Sequence, residues 1–359
     1  MMQRASFIKL YKLISLIVIL CNPAYCLGQV LTATDTGLIR RAKVIILSEW
    51  HLSDLFPLYK RKLIEKLYRD DGLTDLVLET GKSTAYLLNE YIATGDTGIM
   101  RSFPLFTQRD RDYWKAFRRY KLPSGKPIRI HGVDFERMSI VPALKRVLKK
   151  TGNTNNELYR YLAALPDTIL NLYKNDSLIP ERSAVIQKCM SIYNSNVKYY
   201  SSIYDNGYVV KEICTNTAIE TEWDKRFDAM AHNLRLLYNK KAHKYLLIVG
   251  IYHVDCPNPI YKEMEQEYQL QENDIVNIAL VVKDCEAEAM YRGKGYVKLS
   301  TSRNILNHPG LVDSLYKLYS LPCTYQLVDV KTRFPNYKPA FKCDYILPID
   351  CKWNDSKCN

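Results

Sequence analysis

Short runs of apolar, often β-branched residues alternate in the first third of the chain with segments whose apolar residues recur every three or four positions. Val44–Leu47 precedes a helical stripe from Leu55 to Leu67, Leu76–Leu78 precedes a second helix over 83–93, and a third strand-like run covers Ile128–Val133. Strands that alternate with helices are typical of βαβ units, in which the strands are parallel. The pattern therefore predicts an α/β fold with a mainly parallel sheet and flanking helices.

The pattern changes at about residues 140–240, where helical periodicity predominates. Gly152-Asn153, Pro166-Asp167 and Asn206-Gly207 divide this region into about four helical segments. Strand-like runs return after it, over Tyr245–Val249, Ile275–Val282 and Asp344–Leu347. No internal repeat or low-complexity linker separates the parts. We therefore expect one α/β domain over residues 29–359, with a helical insertion that forms a lobe at about 140–240.

Residues 1–28 have the organisation of a secretory signal peptide. Bases without acids precede the apolar run Leu13–Leu20, and the helix-breaking pair Asn22-Pro23 follows. The apolar run is too short to span a membrane. We expect cleavage after Gly28 and export to the periplasm or the outside. A lipid anchor on Cys26 is the alternative, but Tyr25 is bulky where a lipoprotein signal has a small residue.

The chain is basic, with 51 Lys and Arg against 38 Asp and Glu and a formal net charge of +13. Such a charge permits peripheral association with anionic polymers or lipids of the cell envelope. The bases are scattered, for example at Lys60-Arg-Lys62, Lys149-Lys150 and Lys240-Lys241, and are not gathered on one tail or helix face. We interpret them as a solvated surface and expect no nucleic-acid partner. The oligomeric state is left open.

The cysteines permit disulfides without fixing their pairing. Two of the ten, Cys21 and Cys26, lie in the predicted signal peptide, so an even number remains for an oxidising compartment. No two of them form a C-x-x-C pair. This spacing argues against a redox motif and against a zinc site built on thiolates.

Ionisable residues follow four of the predicted strands. They are Glu49 and His51, Glu79, Asp134 with Glu136, and His253. In an open parallel sheet, ligands bind beyond the carboxyl ends of the strands, so residues that are distant in the chain can meet in one crevice. We therefore predict that these side chains share a site for a small-molecule substrate, with Asp134 and Glu136 in substrate binding.

The residue types suit two kinds of chemistry. A histidine can take a proton from water while a neighbouring carboxylate fixes its tautomer, which describes hydrolysis that requires no cofactor. The set Glu49, His51, Glu79 and His253 could instead hold a divalent metal. The chain has no G-x-S-x-G, P-loop, G-x-G-x-x-G or H-E-x-x-H motif at a fitting position, so serine-hydrolase, nucleotide-binding and zincin functions have no support.

Five short motifs occur in a set order: Ser48–His51, Glu79–Gly81, Gly132–Asp134, Arg226–Asn233 and Gly250–His253. In the order and spacing of these motifs the chain resembles the erythromycin-esterase-like superfamily, which also includes the ChaN-like haem-uptake proteins. The resemblance extends over nearly the whole chain after the signal peptide. It implies the α/β fold inferred above.

The resemblance also implies roles for individual residues. His51 would be the general base that activates water, and Glu49 and Glu79 would orient it or the substrate. His253 would be a second catalytic or substrate-binding histidine, and Arg226 would face the same cleft from a helix. The implied function is exported hydrolysis of an ester, lactone or related bond. Haem or metal binding of the ChaN type, without turnover, is the alternative.

Some polar and aromatic residues near the motifs have simpler interpretations. Arg226 could form a salt bridge with Glu222 one helical turn away. His131 and His232 are expected to be structural. Four residues are predicted to share one helical stripe, which indicates either packing or an aromatic wall over the cleft: Tyr193, Val197, Tyr200 and Tyr204.

Overall fold

The structure is a computed structural model. It describes residues 36–49, 56–103, 106, 108–122, 125–137, 139–166, 179–205, 208–216, 223–238, 243–250, 253–254, 260–282, 285–288, 296–299, 327–330 and 343–349. His51 and the predicted signal peptide lie outside these residues. No helix among the described residues has the length and apolar character needed to cross a membrane.

The elements up to the third strand alternate between strands and helices, as the apolar pattern predicts. In chain order they are α1 (Thr36–Arg41), β1 (Val44–Glu49), α2 (Phe56–Asp70), β2 (Asp75–Leu78), α3 (Lys82–Thr94), a 3₁₀ turn (Ile99–Ser102), α4 (Gln108–Phe117) and β3 (Arg129–Gly132). Helix α3 ends at Gly95, whose φ of 74° suits glycine and whose N–H donates to the carbonyl of Tyr91.

The middle of the chain is mainly helical. It contains α5 (Ile140–Lys150), α6 (Glu157–Ala164), α7 (Ile179–Ser195), α8 (Val197–Ser201), a hairpin of β4 (Tyr204–Asp205) and β5 (Tyr208–Val209), α9 (Val210–Cys214) and α10 (Trp223–Tyr238). The last part contains β6 (Tyr245–Gly250), α11 (Ile260–Tyr268), β7 (Ile275–Val282), β8 (Cys285–Glu288), β9 (Tyr296–Leu299), β10 (Val328–Asp329) and β11 (Tyr345–Ile349).

Seven of the strands form one sheet in the order β10-β11-β7-β1-β6-β2-β3. Every neighbouring pair is parallel except β10 with β11 at one edge. The α/β fold with a mainly parallel sheet, flanking helices and a helical insertion is therefore confirmed. In the register, Glu49 of β1 pairs with Gly250 of β6, and Leu78 of β2 pairs with Gly132 of β3. The carboxyl ends of these four strands consequently lie side by side.

Helices cover both faces of the sheet. One face, with Ile45 and Leu47 of β1, packs against buried residues of α2, α3, α4 and the middle helices α5 to α9. The opposite face, with Val44 and Ile46, packs against α10 and α11. Because successive strand residues point to opposite faces, both sets of side chains in β1 are buried. This explains why its apolar run is continuous.

The predicted aromatic stripe of the helical region does not exist as one stripe. Asn196 begins α8, and its side chain accepts a hydrogen bond from the N–H of Tyr199, so the helix that holds Tyr193 does not continue. Tyr193 and Tyr200 are buried and pack against each other, whereas Val197 and Tyr204 are exposed. The prediction of a single stripe is wrong because a helix cap interrupts the periodicity.

Among the residues that the structure describes, three cysteines are free and buried: Cys189, Cys214 and Cys343. Burial raises the pKa of the Cys189 thiol to about 12. Thiols that remain protonated and inaccessible are poor nucleophiles. Cys189 and Cys214 both belong to the core on the α2 side of the sheet, where they act as small apolar residues.

Candidate active site

Glu79 follows the last residue of β2 and is held by three groups from other parts of the chain. Its Oε2 accepts a 2.6 Å hydrogen bond from the N–H of Gly250, at the end of β6. Its Oε1 lies 2.9 Å from Nε2 of His253 and also contacts Nη2 of Arg226. Only 6% of the Glu79 side chain is exposed. The carboxylate therefore has a defined position at the carboxyl edge of the sheet.

Arg226 of α10 joins Glu79 to a second carboxylate, that of Asp134. Its Nε donates to Oδ1 of Asp134 over 2.8 Å, and its Nη2 donates to Oδ2 over 2.7 Å. This is the bidentate geometry in which guanidinium–carboxylate pairs are strongest. Burial by itself would lower the pKa of Arg226, but the hydrogen bonds and charges of Asp134 and Glu79 leave it raised. Arg226 is thus a buried permanent cation. Glu222, with which the sequence also allows it to form a salt bridge, lies outside the described residues.

His253 is bonded to Glu79, one of these two carboxylates. It is buried, and its ring packs on Phe227 of α10 at a centroid distance of 4.8 Å. The bond to Glu79 fixes the direction of Nε2 in the His253 ring. Carboxylates set the orientation of catalytic imidazoles in the same way. We call Glu79, Asp134, Arg226 and His253 the carboxylate–arginine–histidine cluster. The structure brings together four of the side chains that the sequence predicts to share a site.

Gly132 allows two main-chain segments to approach each other closely beside this cluster. A Cβ on Gly132 would lie 2.3 Å from the carbonyl oxygen of Gly81 and 2.6 Å from that of Thr80, both main-chain atoms. The segment after β2 therefore crosses directly over the end of β3. The N–H of Asp134 donates to the carbonyl of Thr80 over 2.9 Å, which ties the two strand ends together. Close approach of the backbones thus sets the distance between Glu79 and Asp134.

Glu49 lies on the other side of Gly250, and Lys60 of α2 neutralises it. Lys60 Nζ is 3.2 Å from each carboxylate oxygen, and both side chains are largely buried. The interpretation of Lys60 as a solvated surface base is wrong. Its position on the helix that follows β1 brings it back over the strand end, which a count of charges along the chain does not reveal.

Glu136 has a different environment from the other acids at the sheet edge. Its carboxylate accepts hydrogen bonds from the N–H groups of Lys82 and Ser83 at the start of α3, and from the side chain of Asn216 over 2.9 Å. Burial raises the pKa of Glu136, and these donors oppose the rise. The residue caps a helix, which is a structural role. Its predicted part in substrate binding stays a prediction.

Arg137 is a cation beside the cluster that the sequence does not single out. Its guanidinium carbon lies 4.7 Å from the ring centroid of Phe135, and that of Arg226 lies 5.1 Å from the same ring. Its Nη2 is 4.0 Å from Oδ2 of Asp134. Phe135 therefore packs against two guanidinium groups, an arrangement stabilised by cation–π attraction. The sequence signal for this contact is the position of Arg137 three residues after Asp134.

The side chain of His131 bonds at the amino end of β2, whereas the cluster lies at the carboxyl ends of the strands. Its Nε2 is 2.7 Å from Oδ1 of Asp75, the first residue of β2, and Nδ1 of His243 is 2.6 Å from the other oxygen. His131 is thus structural, as expected. His232, on α10, is exposed to solvent.

Among the described residues, no group of three or more His, Cys, Asp or Glu side chains is arranged to hold a metal ion. The predicted metal set includes His51, which lies outside them. Within the set, Glu79 and His253 bond to each other, and Arg226 places a positive charge on Glu79. A metal cation bound to Glu79 would therefore be repelled by the positive charge of Arg226.

The fold has counterparts among solved structures, although no family model and no curated protein matches the chain. A Bacillus cereus protein solved by a structural genomics consortium is 16% identical, with a TM-score of 0.50 over 91% of this chain and 97% of the other. A mutant of the erythromycin esterase EreC in its open conformation is 14% identical, with a TM-score of 0.51 over 87% of this chain and 91% of the other. ChaN of Campylobacter jejuni, described with cofacial haem, gives a TM-score of 0.31, which is too low to support an argument. The chain has the erythromycin-esterase-like fold.

Proposed function

We propose that the chain is a hydrolase of the erythromycin-esterase-like type, which uses water to cleave an ester, a lactone or a related bond. The observation that carries the proposal is the bonding of Glu79, which holds His253, Arg226 and the N–H of Gly250 at the carboxyl edge of the sheet. A histidine oriented by a buried carboxylate is what general acid–base catalysis requires. The fold likeness to an esterase agrees with this chemistry.

In the proposed reaction, His51 takes a proton from water as the water oxygen attacks the carbonyl carbon. The electron pair of the carbonyl bond moves to its oxygen and returns when the bond to the leaving oxygen breaks. The leaving oxygen then takes from His51 the proton that the water lost, so that one water and one ester give one acid and one alcohol. Glu79 keeps His253 oriented, and Arg226 and Asp134 keep Glu79 in place.

The alternative function is binding of haem or a metal without turnover. The contacts favour it less, because Arg226 already provides the charge that Glu79 faces. No residue of the cluster needs a metal in the proposed reaction. We further propose that the substrate is a small molecule and that the chain is exported after loss of its first 28 residues.

The test is hydrolysis of a panel of p-nitrophenyl esters and chromogenic lactones by the purified protein, with metal content and visible spectrum recorded. We expect turnover that falls at least about 100-fold in His51→Ala, since general base catalysis contributes about 10²–10⁴. His232→Ala, which removes an exposed histidine, should stay within about twofold. Absence of turnover together with bound haem or stoichiometric metal that is lost in His51→Ala would overturn the proposal in favour of the binding function.

A further inference from the structure

Asn233 ends the motif that begins with Arg226, and its side chain joins α10 to the segment that follows β3. Its Nδ2 donates one hydrogen bond to the main-chain carbonyl of Val133 over 3.0 Å and another to Oδ1 of Asn216 over 3.1 Å. Because a main-chain carbonyl can only accept, the first bond fixes the direction of the amide. Asn233 is 5% exposed. Both of its N–H donors therefore serve contacts inside the protein.

Asn216, which follows α9, binds the same segment. Its Nδ2 donates to the main-chain carbonyl of Asp134 over 2.7 Å and to Oε1 of Glu136 over 2.9 Å. Its own Oδ1 accepts the hydrogen bond from Asn233, and the residue is buried. The two amides consequently form a continuous chain of hydrogen bonds from α10 to Asp134 and Glu136.

Asn233 and Arg226 lie on the same face of α10, since seven residues make about two helical turns. Met230, between them on this face, is fully buried in the apolar core. Arg226 binds the carboxylate of Asp134, whereas Asn233 binds the carbonyl of the preceding residue. Two successive residues after β3 thus hold α10 at two points.

The amide of Asn233 gives this docking a direction that apolar contacts lack. Burial of apolar surface is non-directional, whereas a buried amide is costly unless it is bonded. An arginine side chain has many rotamers, so the position of its guanidinium depends on where the helix lies. The side chain of asparagine is short, and its bond to Val133 therefore holds the two backbones at one distance.

We propose that Asn233 is a positioning residue for the hydrolytic reaction, because it holds α10 where the guanidinium of Arg226 meets both Asp134 and Glu79. The inference rests on the proposed hydrolase function and adds to it a residue that acts through Arg226 without touching the substrate. Glu79 in turn orients His253. A displaced Arg226 would therefore disturb that histidine, and a misplacement of about 1 Å can cost about 100-fold in rate.

The kinetic test compares Asn233→Leu with His232→Leu on the p-nitrophenyl ester that the wild type hydrolyses fastest. Leucine keeps the size and branched shape of asparagine and suits the buried neighbours Met230 and Leu234, but it lacks the donors. We expect kcat to fall about 10- to 100-fold with KM within about threefold, since no group that binds substrate is removed. His232→Leu places the same side chain at an exposed position of α10 and should stay within about twofold of the wild type.

The NMR signal of the Arg226 Nε–H separates positioning from a general loss of stability. Its absence in Arg226→Lys identifies it in a ¹H–¹⁵N spectrum of the arginine side chains. The chemical shift of this group in the folded protein depends on its hydrogen bond to Asp134, and a lower stability alone does not change it. We expect the signal to shift in Asn233→Leu and to stay in place in His232→Leu.

Four results are decisive. A kcat for Asn233→Leu equal to that of the wild type, while His51→Ala is inactive, would overturn the inference and leave the hydrolase function standing. A lower kcat with an unchanged Arg226 signal would overturn it too, because Asn233 would then not act through Arg226. A wild type no faster than His51→Ala would refute the hydrolase function, and this inference with it. If Asn233→Leu does not fold, Asn216→Ala breaks the same chain of hydrogen bonds and is judged by the same two measurements.

Discussion

Arg226 contacts both Glu79 and Asp134, so its replacement tests how the sheet edge is held together. We consider its replacement by methionine, which keeps most of the length of the side chain and removes the charge and the donors. The change leaves two carboxylates near each other, of which Asp134 is fully buried and the Glu79 side chain is 6% exposed. Neither can gain the water that would compensate for the loss.

The size of the effect follows from this burial. Removal of one partner of a buried ion pair costs about 3–5 kcal/mol, because the remaining charge stays buried. Arg226 is itself buried, so little of the interaction is lost to solvent screening. We expect Arg226→Met to lower the free energy of unfolding by about 3–5 kcal/mol. The midpoint of thermal unfolding should fall by roughly 4–7 °C, since a chain of this size unfolds with an entropy of about 0.7 kcal/mol per kelvin.

The assay is equilibrium unfolding in guanidinium chloride, followed by circular dichroism. Arg235→Met is the matched control, because Arg235 is exposed on the same helix, α10, and surface substitutions usually change stability by less than about 0.5 kcal/mol. Asp134→Asn and the double variant complete a thermodynamic cycle. In the double variant, Asp134→Asn should recover about 2 kcal/mol of the stability that Arg226→Met alone loses, since the two residues interact directly.

Two results would refute the reasoning. If Arg226→Met costs no more than Arg235→Met, the bidentate pair does not hold the sheet edge together. If the losses from Arg226→Met and Asp134→Asn simply add, the two side chains do not form the bonds described. Either result would also remove the physical basis for a fixed Glu79.

Two further predictions test the ends of β2 and β3. Asp75→Asn should lower the free energy of unfolding at pH 7 by about 1–3 kcal/mol. Although burial opposes it, hydrogen bonds from His131 and His243 lower the pKa of Asp75, so its contribution is complete above about pH 4 and is lost as pH falls through the folded-state pKa. Urea unfolding from pH 3 to 7 should show the difference from wild type shrinking below about pH 4, and a difference independent of pH would contradict this. Gly132→Ala should cost about 1–3 kcal/mol and most ester hydrolysis, because its Cβ would meet main-chain atoms of Gly81; wild-type stability and turnover would show that the backbones need not approach so closely.

The sequence predicts the position of the site because that position follows from strand polarity. Glu79, Asp134 and His253 each come after an apolar run, and parallel strands bring such residues to one edge without knowledge of the strand order. Glu136 follows the same pattern but caps α3. The difference depends on where the first turn of α3 docks, which the periodicity of that helix does not define.

Contacts made by helices were harder to predict. Arg226 is 92 residues from Asp134 in the chain, and their bond depends on how α10 lies across the sheet. Lys60 belongs to a basic triplet that has the composition of a surface segment, and only its place in α2 shows that it neutralises Glu49.

The bonding at the sheet edge also limits how its acids can take part in substrate recognition. Both oxygens of Glu79 and both oxygens of Asp134 already accept hydrogen bonds from the protein. A carboxylate engaged in this way keeps its neighbours in place and has little capacity left for a ligand. Substitutions in the carboxylate–arginine–histidine cluster should therefore affect every substrate alike.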